Sequence, residues 1–277
     1  MAVVQHWCQP DLETLDRAED LARRSLAIDP LSAGAETLLG LIETHRPNLP
    51  AAIRHLERAI ARDGSDVDAV AWLLLLNTLR GRNVHARPLA QRLAVIDPLG
   101  PLTRLSTVML SYMDGEFELA LQHLERYEEG GPFESALRVQ LLSYLRRFEE
   151  AARLSDELLH NAPDDIFARM AAMVRFAIQG NRPRVEQLFD DTLRGAARND
   201  LQYSVWIAEA FAQLGDVEQA VGWLRNAMSR GYLAYPFTAD HNWLFDPVRG
   251  APAFQATLEE MRVAWNAAAS SLPLAST

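Results

Sequence analysis

Apolar residues recur with a helical period along most of the chain. In the segments AAIRHLERAIARD (51–63) and EQAVGWLRNAMSRG (218–231), apolar side chains stand at positions i, i+4 and i+7, which places them on one face of an α-helix. A second stretch of this kind precedes each of them, AETLLGLIETH (35–45) and YSVWIAEAFAQL (203–214). No run alternates apolar and polar residues with period two, so the sequence predicts pairs of helices and no strands.

The helical pairs repeat at a nearly fixed interval. A small residue recurs at the start of the second helix of each pair, mostly 34 residues after the previous one: Ala18, Ala52, Ala86, Ala120, Ala151, Val185 and Ala220. In four pairs a glycine stands five residues earlier: Gly81, Gly115, Gly180 and Gly215. Glycine permits a tight turn between antiparallel helices, and alanine permits their close approach. We therefore predict about six and a half helix–turn–helix repeats over residues 1–232, the first of them incomplete.

This pattern resembles the tetratricopeptide repeat (TPR) family. That family places Leu-Gly in the first helix (helix A) of a repeat, alanine at the start of the second (helix B), and another alanine seven residues later. The second repeat matches with Gly40, Ala52 and Ala59, whereas Val185 and Thr192 replace both alanines in the sixth, and the fifth repeat is three residues short. The resemblance implies an all-α, right-handed superhelical solenoid of helical hairpins.

The N-terminal end departs from the repeat. The stretch VVQHWCQPDLE (3–13) is too short for a full helix A and is broken by Pro10. A solenoid normally begins with a repeat whose outer face is polar, but Val3, Val4 and Trp7 are apolar. Either Pro10 ends a short capping helix, or the chain is the C-terminal part of a longer protein. We favour the second interpretation.

The C-terminal end departs as well. After Tyr232 the chain is interrupted by prolines and then shows one amphipathic helix, whose apolar face carries Phe254, Leu258, Met261 and Trp265. We expect residues 233–270 to form a loop and a helix that caps the last repeat. The alternative is that this helix folds back into the groove of the repeats and blocks it. Residues 271–277 are expected to be disordered.

The sequence around this end carries a second resemblance. The segments WLRNAMSRGY (223–232) and WLFDPVRGAPAFQATLEEM (243–261) look like the end of TPR regions in bacterial serine/threonine kinases and adenylate cyclases. The resemblance implies a sensory or regulatory part of such an enzyme, with the catalytic domain upstream. The chain shows no Gly-rich phosphate loop, HRD catalytic loop or DFG motif, so we expect no catalytic residues and no enzyme activity.

Composition narrows the classes of ligand. A formal net charge of −10 disfavours nucleic acid, and no apolar run reaches the roughly 18 residues of a membrane span. A secretory signal is absent from the N-terminal residues, so a bacterial cytoplasmic location is expected. The seven histidines are scattered, and His6 with Cys8 is the only close pair of metal-ligand type, so we expect neither a metal nor a cofactor. The pairs Asp164–Asp165 and Asp190–Asp191 are expected at helix starts, helix ends or solvent faces. Asp164 and Asp165 precede the helical stretch IFARMAAMV, where carboxylates complement the dipole of a helix N-terminus.

The inner face of helix A is the predicted binding site. In the TPR family, positions 2, 5, 9 and 12 of helix A line a concave groove, and here these and adjoining positions are largely apolar in the middle repeats. The predicted groove residues are Leu41, Leu75, Leu102, Leu105, Met109, Tyr112, Met113, Phe133, Phe167, Met170 and Val174. The same row places Gln140 in the fifth repeat and Glu209 in the seventh.

Three interpretations of this row stay open. An exposed apolar row with methionines is typical of a surface that binds a partner, so we expect a non-catalytic scaffold that binds an apolar segment of a protein or peptide. TPR proteins that clamp acidic chaperone tails use Lys, Asn and Arg at these positions, and none stands there, which disfavours that ligand. Alternatively, the same side chains pack against neighbouring helices as core. A small apolar ligand is a third possibility, and the oligomeric state is left undetermined.

Overall fold

The computed structural model describes residues 12–46, 48–126 and 130–270, and in these ranges the chain is helical without strands. The predicted all-α class is confirmed, with helices that pack in consecutive pairs as in a helical-repeat solenoid. The predicted right-handed superhelix stays a prediction. The incomplete first helix A, with Pro10, and the tail 271–277 lie outside the described residues.

The helices follow the predicted order of hairpins. The first five repeats comprise α1 (Leu12–Ile28), α2 (Ala33–His45), α3 (Leu49–Arg62), α4 (Val67–Leu79), α5 (Asn83–Ile96), α6 (Pro101–Met113), α7 (Phe117–Glu125), α8 (Pro132–Tyr144) and α9 (Phe148–Asn161). The remainder comprises α10 (Ile166–Ile178), α11 (Arg182–Leu188), α12 (Asp191–Asn199), α13 (Leu201–Gln213), α14 (Val217–Ser229), α15 (Asp246–Arg249) and α16 (Pro252–Ser270). A five-residue π-helix, Phe237–His241, and a 3-10 turn, Trp243–Phe245, precede α15.

The chain forms two compact units. The N-terminal unit takes in the described residues of Met1–Thr78 together with Arg82–Leu110. The C-terminal unit takes in Leu79–Gly81 and the described residues of Ser111–Thr277. The segment after residue 232 therefore belongs to the same compact unit as the repeats that follow residue 110.

Packing in the N-terminal unit follows from the small residues of helix B. Ala52 and Ala59 on α3 are fully buried and pack with Leu56 and Trp72 in one apolar cluster. On the neighbouring α2, a Cβ added to Gly40 would lie 2.7 Å from Cγ of Leu56. Glycine at this position therefore lets the two helices approach closely, which accounts for the Leu-Gly pair in the sequence.

The hairpin turns confirm the predicted role of glycine. Gly81, Gly115, Gly180 and Gly215 all have positive φ, between 66° and 78°, in the left-handed region that favours glycine. The turn between α8 and α9 holds Arg146 instead, with φ of 59°. A side chain in this region costs roughly 1–2 kcal/mol. Arg146 is the non-glycine residue with positive φ in the described part of the chain.

The second helix of the sixth repeat is divided in two. Here α11 ends at Leu188 and α12 begins at Asp191, where the carboxylate of Asp190 accepts from the backbone N–H of Leu193 at 3.0 Å. Asp190 also pairs with the buried Arg169, at 2.9 Å. Asp165 caps α10 in the same way, accepting from the N–H of Ala168 at 2.9 Å. Both carboxylate pairs thus stand at helix starts, which the sequence predicted specifically for Asp164 and Asp165.

The helix α16 caps the last repeat. It packs against α14, and Phe254 and Met261 of its apolar face are fully buried. At the rim, Arg225 of α14 donates to Glu260 at 2.8 Å. The expected C-terminal cap is confirmed for this helix, whereas the residues before it take a different course.

Candidate functional site

The predicted groove residues are more enclosed than an open groove requires. Six of them are buried: Leu75, Met109, Tyr112, Met113, Met170 and Val174. The other five are half-buried: Leu41, Leu102, Leu105, Phe133 and Phe167. The six buried side chains pack as core, which is the second interpretation that the sequence left open. A partner could contact them directly only by displacing what covers them.

In the C-terminal unit, the cover is the protein's own chain. Residues 233–249, which we call the C-terminal segment, lie against the inner sides of α8 and α13 and the ends of α6 and α7. We call this surface the inner face. It is formed by Tyr112, Phe117, Gln140, Tyr144, Glu209 and Gln213. The alternative in which the C-terminal helix itself folds back into the groove is not met, because α16 packs against α14. The residues that lie against the inner face are those that precede this helix.

Phe237 enters an aromatic cluster at one end of the inner face. Its ring centroid lies 4.9 Å from that of Tyr112, 5.9 Å from Tyr144 and 6.2 Å from Phe117. The rings of Phe117 and Tyr144 stack at 4.4 Å. Phe237 and Tyr112 are fully buried, so this contact combines apolar burial with edge-to-face and tilted ring geometry.

Glu209 belongs to the inner face and is fully buried. Its carboxyl group accepts hydrogen bonds from Tyr144 Oη at 2.7 Å, from Asn242 Nδ2 at 2.7 Å and from Gln140 Nε2. Burial raises the pKa of Glu209 to about 7, although the three hydrogen bonds oppose this shift. Burial also raises the pKa of Tyr144, and the nearby Glu209 adds to the effect. The carboxyl group of Glu209 therefore changes protonation state near neutral pH.

Trp243 is held against the backbone of Tyr144. Its indole Nε1 donates to the backbone oxygen of Tyr144 at 3.1 Å, and the guanidinium carbon of Arg146 lies 4.3 Å from its ring centroid. Phe148 meets the same indole edge-on at 6.1 Å. One residue further on, the backbone oxygen of Leu244 accepts from Gln213 Nε2 at 2.7 Å. Repeat side chains therefore contact both side chains and backbone of the segment.

The C-terminal segment is preorganised by its own hydrogen bonds. The backbone N–H of Asn242 donates to the oxygen of Phe237 at 3.0 Å and closes the π-helix. The side-chain oxygen of Asn242 accepts from the N–H of Leu244 at 3.2 Å, which directs its amide nitrogen towards Glu209. Arg249 donates to the backbone oxygens of Ala239 and Asn242 at 3.0 and 2.7 Å. These contacts fix the spacing between the ring of Phe237 and the amide of Asn242.

Two features of this contact lower the stability of the fold. A buried carboxyl group loses its hydration, and for the charged form of Glu209 this loss outweighs the three hydrogen bonds that the group accepts. Arg146 adopts a backbone conformation that four other hairpin turns assign to glycine. Departures of this kind concentrate at functional sites. Both lie where the repeats meet the C-terminal segment, so this contact is the candidate functional site.

Comparison with known proteins adds no assignment: no protein-family model matches the chain, and no curated protein matches it either. Across the described ranges, no helix combines the length and apolar character that crossing a membrane requires. In those same ranges, no three His, Cys, Asp or Glu side chains are grouped so as to hold a metal ion.

The sequence placed the right residues on one face but missed their role. Gln140 and Glu209 occupy the same position of helix A, two repeats apart, and hydrogen-bond to each other. The predicted site was restricted to apolar members of the row, so these two were left out. The shared position was the available signal, because a polar pair on an otherwise apolar face has to be satisfied internally or by a ligand.

Proposed function

We propose that this protein is a non-catalytic interaction scaffold that binds a segment of a partner protein on the inner face of its C-terminal unit. The observation that carries the proposal is that this face already holds a peptide segment, the protein's own residues 233–249. It contacts that segment through rings, a carboxyl group and a side-chain amide. A surface that recognises one segment in this detail is suited to another of similar chemistry.

The state of Glu209 supports a binding role over a catalytic one. A carboxyl group with a pKa near 7 is also what general acid–base catalysis uses, so its surroundings decide between the two. Glu209 has no exposed surface, and its three hydrogen-bond donors belong to the protein itself. In this closed state a substrate has no access to the carboxyl group, whereas an exchanged peptide segment would meet it directly.

The proposal implies that a partner competes with the C-terminal segment. Because the segment is tethered, its effective concentration at the face is on the order of millimolar, and a partner must overcome this. Weakening the segment's own contacts should therefore expose the binding activity. Changes in the segment leave the six residues of the inner face unaltered.

Panning a random peptide library tests the proposal. The bait is the full chain carrying Phe237→Ala, Asn242→Ala and Trp243→Ala, which we call the loosened variant; the control bait carries Val263→Ala on the exposed side of α16. We expect peptides to enrich on the loosened variant and to be displaced by a synthetic peptide of residues 233–249. Equal recovery on the two baits, with both folded by thermal melting, would refute segment binding.

A further inference from the structure

The inner face has a chemical pattern that defines its ligand. We propose that it selects a peptide segment carrying an aromatic ring and, five residues later, an uncharged side-chain amide followed directly by an indole. This inference rests on the proposed function and makes it more specific. Its three elements correspond to the places of Phe237, Asn242 and Trp243 in the bound C-terminal segment.

The aromatic position is set by shape. Tyr112, Tyr144 and Phe117 surround the ring of Phe237 with centroids 4.9 to 6.2 Å away, and Phe237, Tyr112 and Tyr144 are buried. A ring offers large area at a low entropy of ordering, because only two side-chain torsions are fixed. An aliphatic side chain would lose the ring–ring contacts, and a charged one would be left without a partner among these rings.

The amide position is set by charge. Glu209 presents a carboxylate that accepts from Asn242 Nδ2 at 2.7 Å, and the neighbouring groups Gln140 Nε2 and Tyr144 Oη also donate to it. An aspartate at the ligand position would place a second carboxylate at hydrogen-bond distance in a buried site. Like charges so close are strongly unfavourable, so Glu209 rejects the acid and accepts the nearly isosteric amide.

The indole position is set by a donor requirement and a cation. The backbone oxygen of Tyr144 takes the indole N–H at 3.1 Å, which phenylalanine could not supply. Arg146 lies over the ring, and tryptophan is the best partner for a cation over an aromatic face. The left-handed backbone at Arg146 is then explained, since glycine there would relax the turn but offer no guanidinium group.

A specificity exchange tests the inference. Fluorescein-labelled peptides of residues 233–249, either unchanged or with Asn242→Asp, are titrated at pH 8 into the loosened variant with Glu209 or with Glu209→Gln. We expect the acid peptide to bind at least tenfold more weakly than the amide peptide to the Glu209 protein. With Glu209→Gln, whose amide can donate to a carboxylate, we expect the acid peptide to bind as well as the amide peptide.

A second measurement covers the case in which the loosened variant does not fold. In the otherwise unchanged full chain, Asn242→Asp should lower the melting temperature at pH 8 more than Asn242→Ala does. In the Glu209→Gln background this order should reverse. Equal effects of the two substitutions in both backgrounds would overturn the inference, because they would show that the charge of Glu209 does not select the side chain at position 242.

The outcomes separate this inference from the proposed function. If the amide and acid peptides bind equally well to the Glu209 protein, the ligand class is wrong and segment binding stands. If neither of these peptides nor any library peptide binds the folded loosened variant, the proposed function fails, and the inference fails with it.

Discussion

Arg146 lies over the indole of Trp243, with 4.3 Å between the guanidinium carbon and the ring centroid, from a backbone position with φ of 59°. The two residues are far apart in sequence, and the contact joins a hairpin turn of the fifth repeat to the C-terminal segment. Equivalent turns hold glycine at Gly115, Gly180 and Gly215. The backbone of this turn is therefore strained, and Arg146 makes a contact with Trp243 that glycine could not make.

Replacing Arg146 should separate these two effects. In Arg146→Gly, the roughly 1–2 kcal/mol of backbone strain is relieved, while a cation–π contact of about 0.5–1 kcal/mol is lost. We expect little change or a small increase in melting temperature, together with faster hydrogen exchange in residues 233–249. Exchange measured by mass spectrometry checks this.

Gly215→Ala supplies the matched control for that experiment. It introduces strain at an equivalent left-handed turn, φ of 71°, where an added Cβ meets no neighbour within 4 Å. We expect it to lower stability without selectively loosening the C-terminal segment. Unchanged exchange of the segment in Arg146→Gly would contradict the role given to this residue.

Stability should depend on pH through Glu209. Its pKa in the folded protein is about 7, above the ordinary value of 4.5, so the folded state binds more protons than the unfolded state between these limits. Protonation of Glu209 therefore stabilises the folded state. This stabilisation is fully present below about pH 4.5 and is lost as the pH rises through about 7, and the free energy of unfolding changes by at most about 1.4 kcal/mol per pH unit.

Denaturant unfolding from pH 5 to pH 8 measures this effect, and Glu209→Gln is the control. Other carboxyl groups also have altered pKa values: burial raises that of Glu57, and hydrogen bonds from Arg46 lower that of Glu19. The informative quantity is therefore the difference between the two proteins, which should shrink steadily as the pH falls from 8 to 5. A difference that is constant across the range would show that Glu209 does not titrate there.

The methionines of the predicted groove should behave as core. Met170 is fully buried and Met109 nearly so. A glutamate at either position would place an unpaired charge in an apolar environment, so we expect each substitution to lower the melting temperature by many degrees or prevent folding. Thermal melting of Met170→Glu decides this, with the exposed Val95→Glu as control. An unchanged melting temperature for Met170→Glu would mean that this part of the row is open.

Two helical glycines should respond oppositely to alanine. At Gly40, an added Cβ would lie 2.7 Å from Cγ of the fully buried Leu56, so Gly40→Ala should destabilise the protein by roughly 1–3 kcal/mol. At Gly222, on the exposed side of α14, the same Cβ meets nothing within 4 Å, and Gly222→Ala should stabilise by about 0.5–1 kcal/mol. Denaturant unfolding gives both values, and effects of equal sign would contradict the close packing of α2 on α3.

Much of the fold can be predicted from the sequence because its turns and helix contacts depend on residues that are close together in the chain. Glycine at 215 and alanine at 220 specify a turn and a close helix contact wherever they recur, and the structure confirms the hairpins they predict. The divided helix of the sixth repeat is marked in the sequence by Val185 and Thr192 in place of alanine. The break in this helix also depends on Asp190, which caps the start of α12 and pairs with Arg169. The local sequence pattern does not reveal these two contacts.

The candidate site was harder to predict because it depends on contacts between distant residues. Periodicity placed Gln140 and Glu209 on one helix face but could not bring Asn242 to them, since the segment that carries Asn242 has no repeat register. The missing glycine at position 146 is a visible departure in the sequence. Its meaning depends on Trp243, which no spacing rule connects to it.

The inner face and the C-terminal segment are far apart in the sequence, so the inner face is synthesised before the segment that covers it. Tyr144 and Trp243 are 99 residues apart, and Glu209 precedes Asn242 by 33. Each hairpin can fold as it emerges from the ribosome, but at about 5–20 residues per second Asn242 follows Glu209 only after about 2–7 seconds, so the inner face stays uncovered for that time after Glu209 has emerged. In that interval a nascent chain presents its aromatic cluster and an ionisable carboxyl group to the cell. Under the proposed function, a partner segment that arrives during translation would meet the face before the protein's own segment can occupy it.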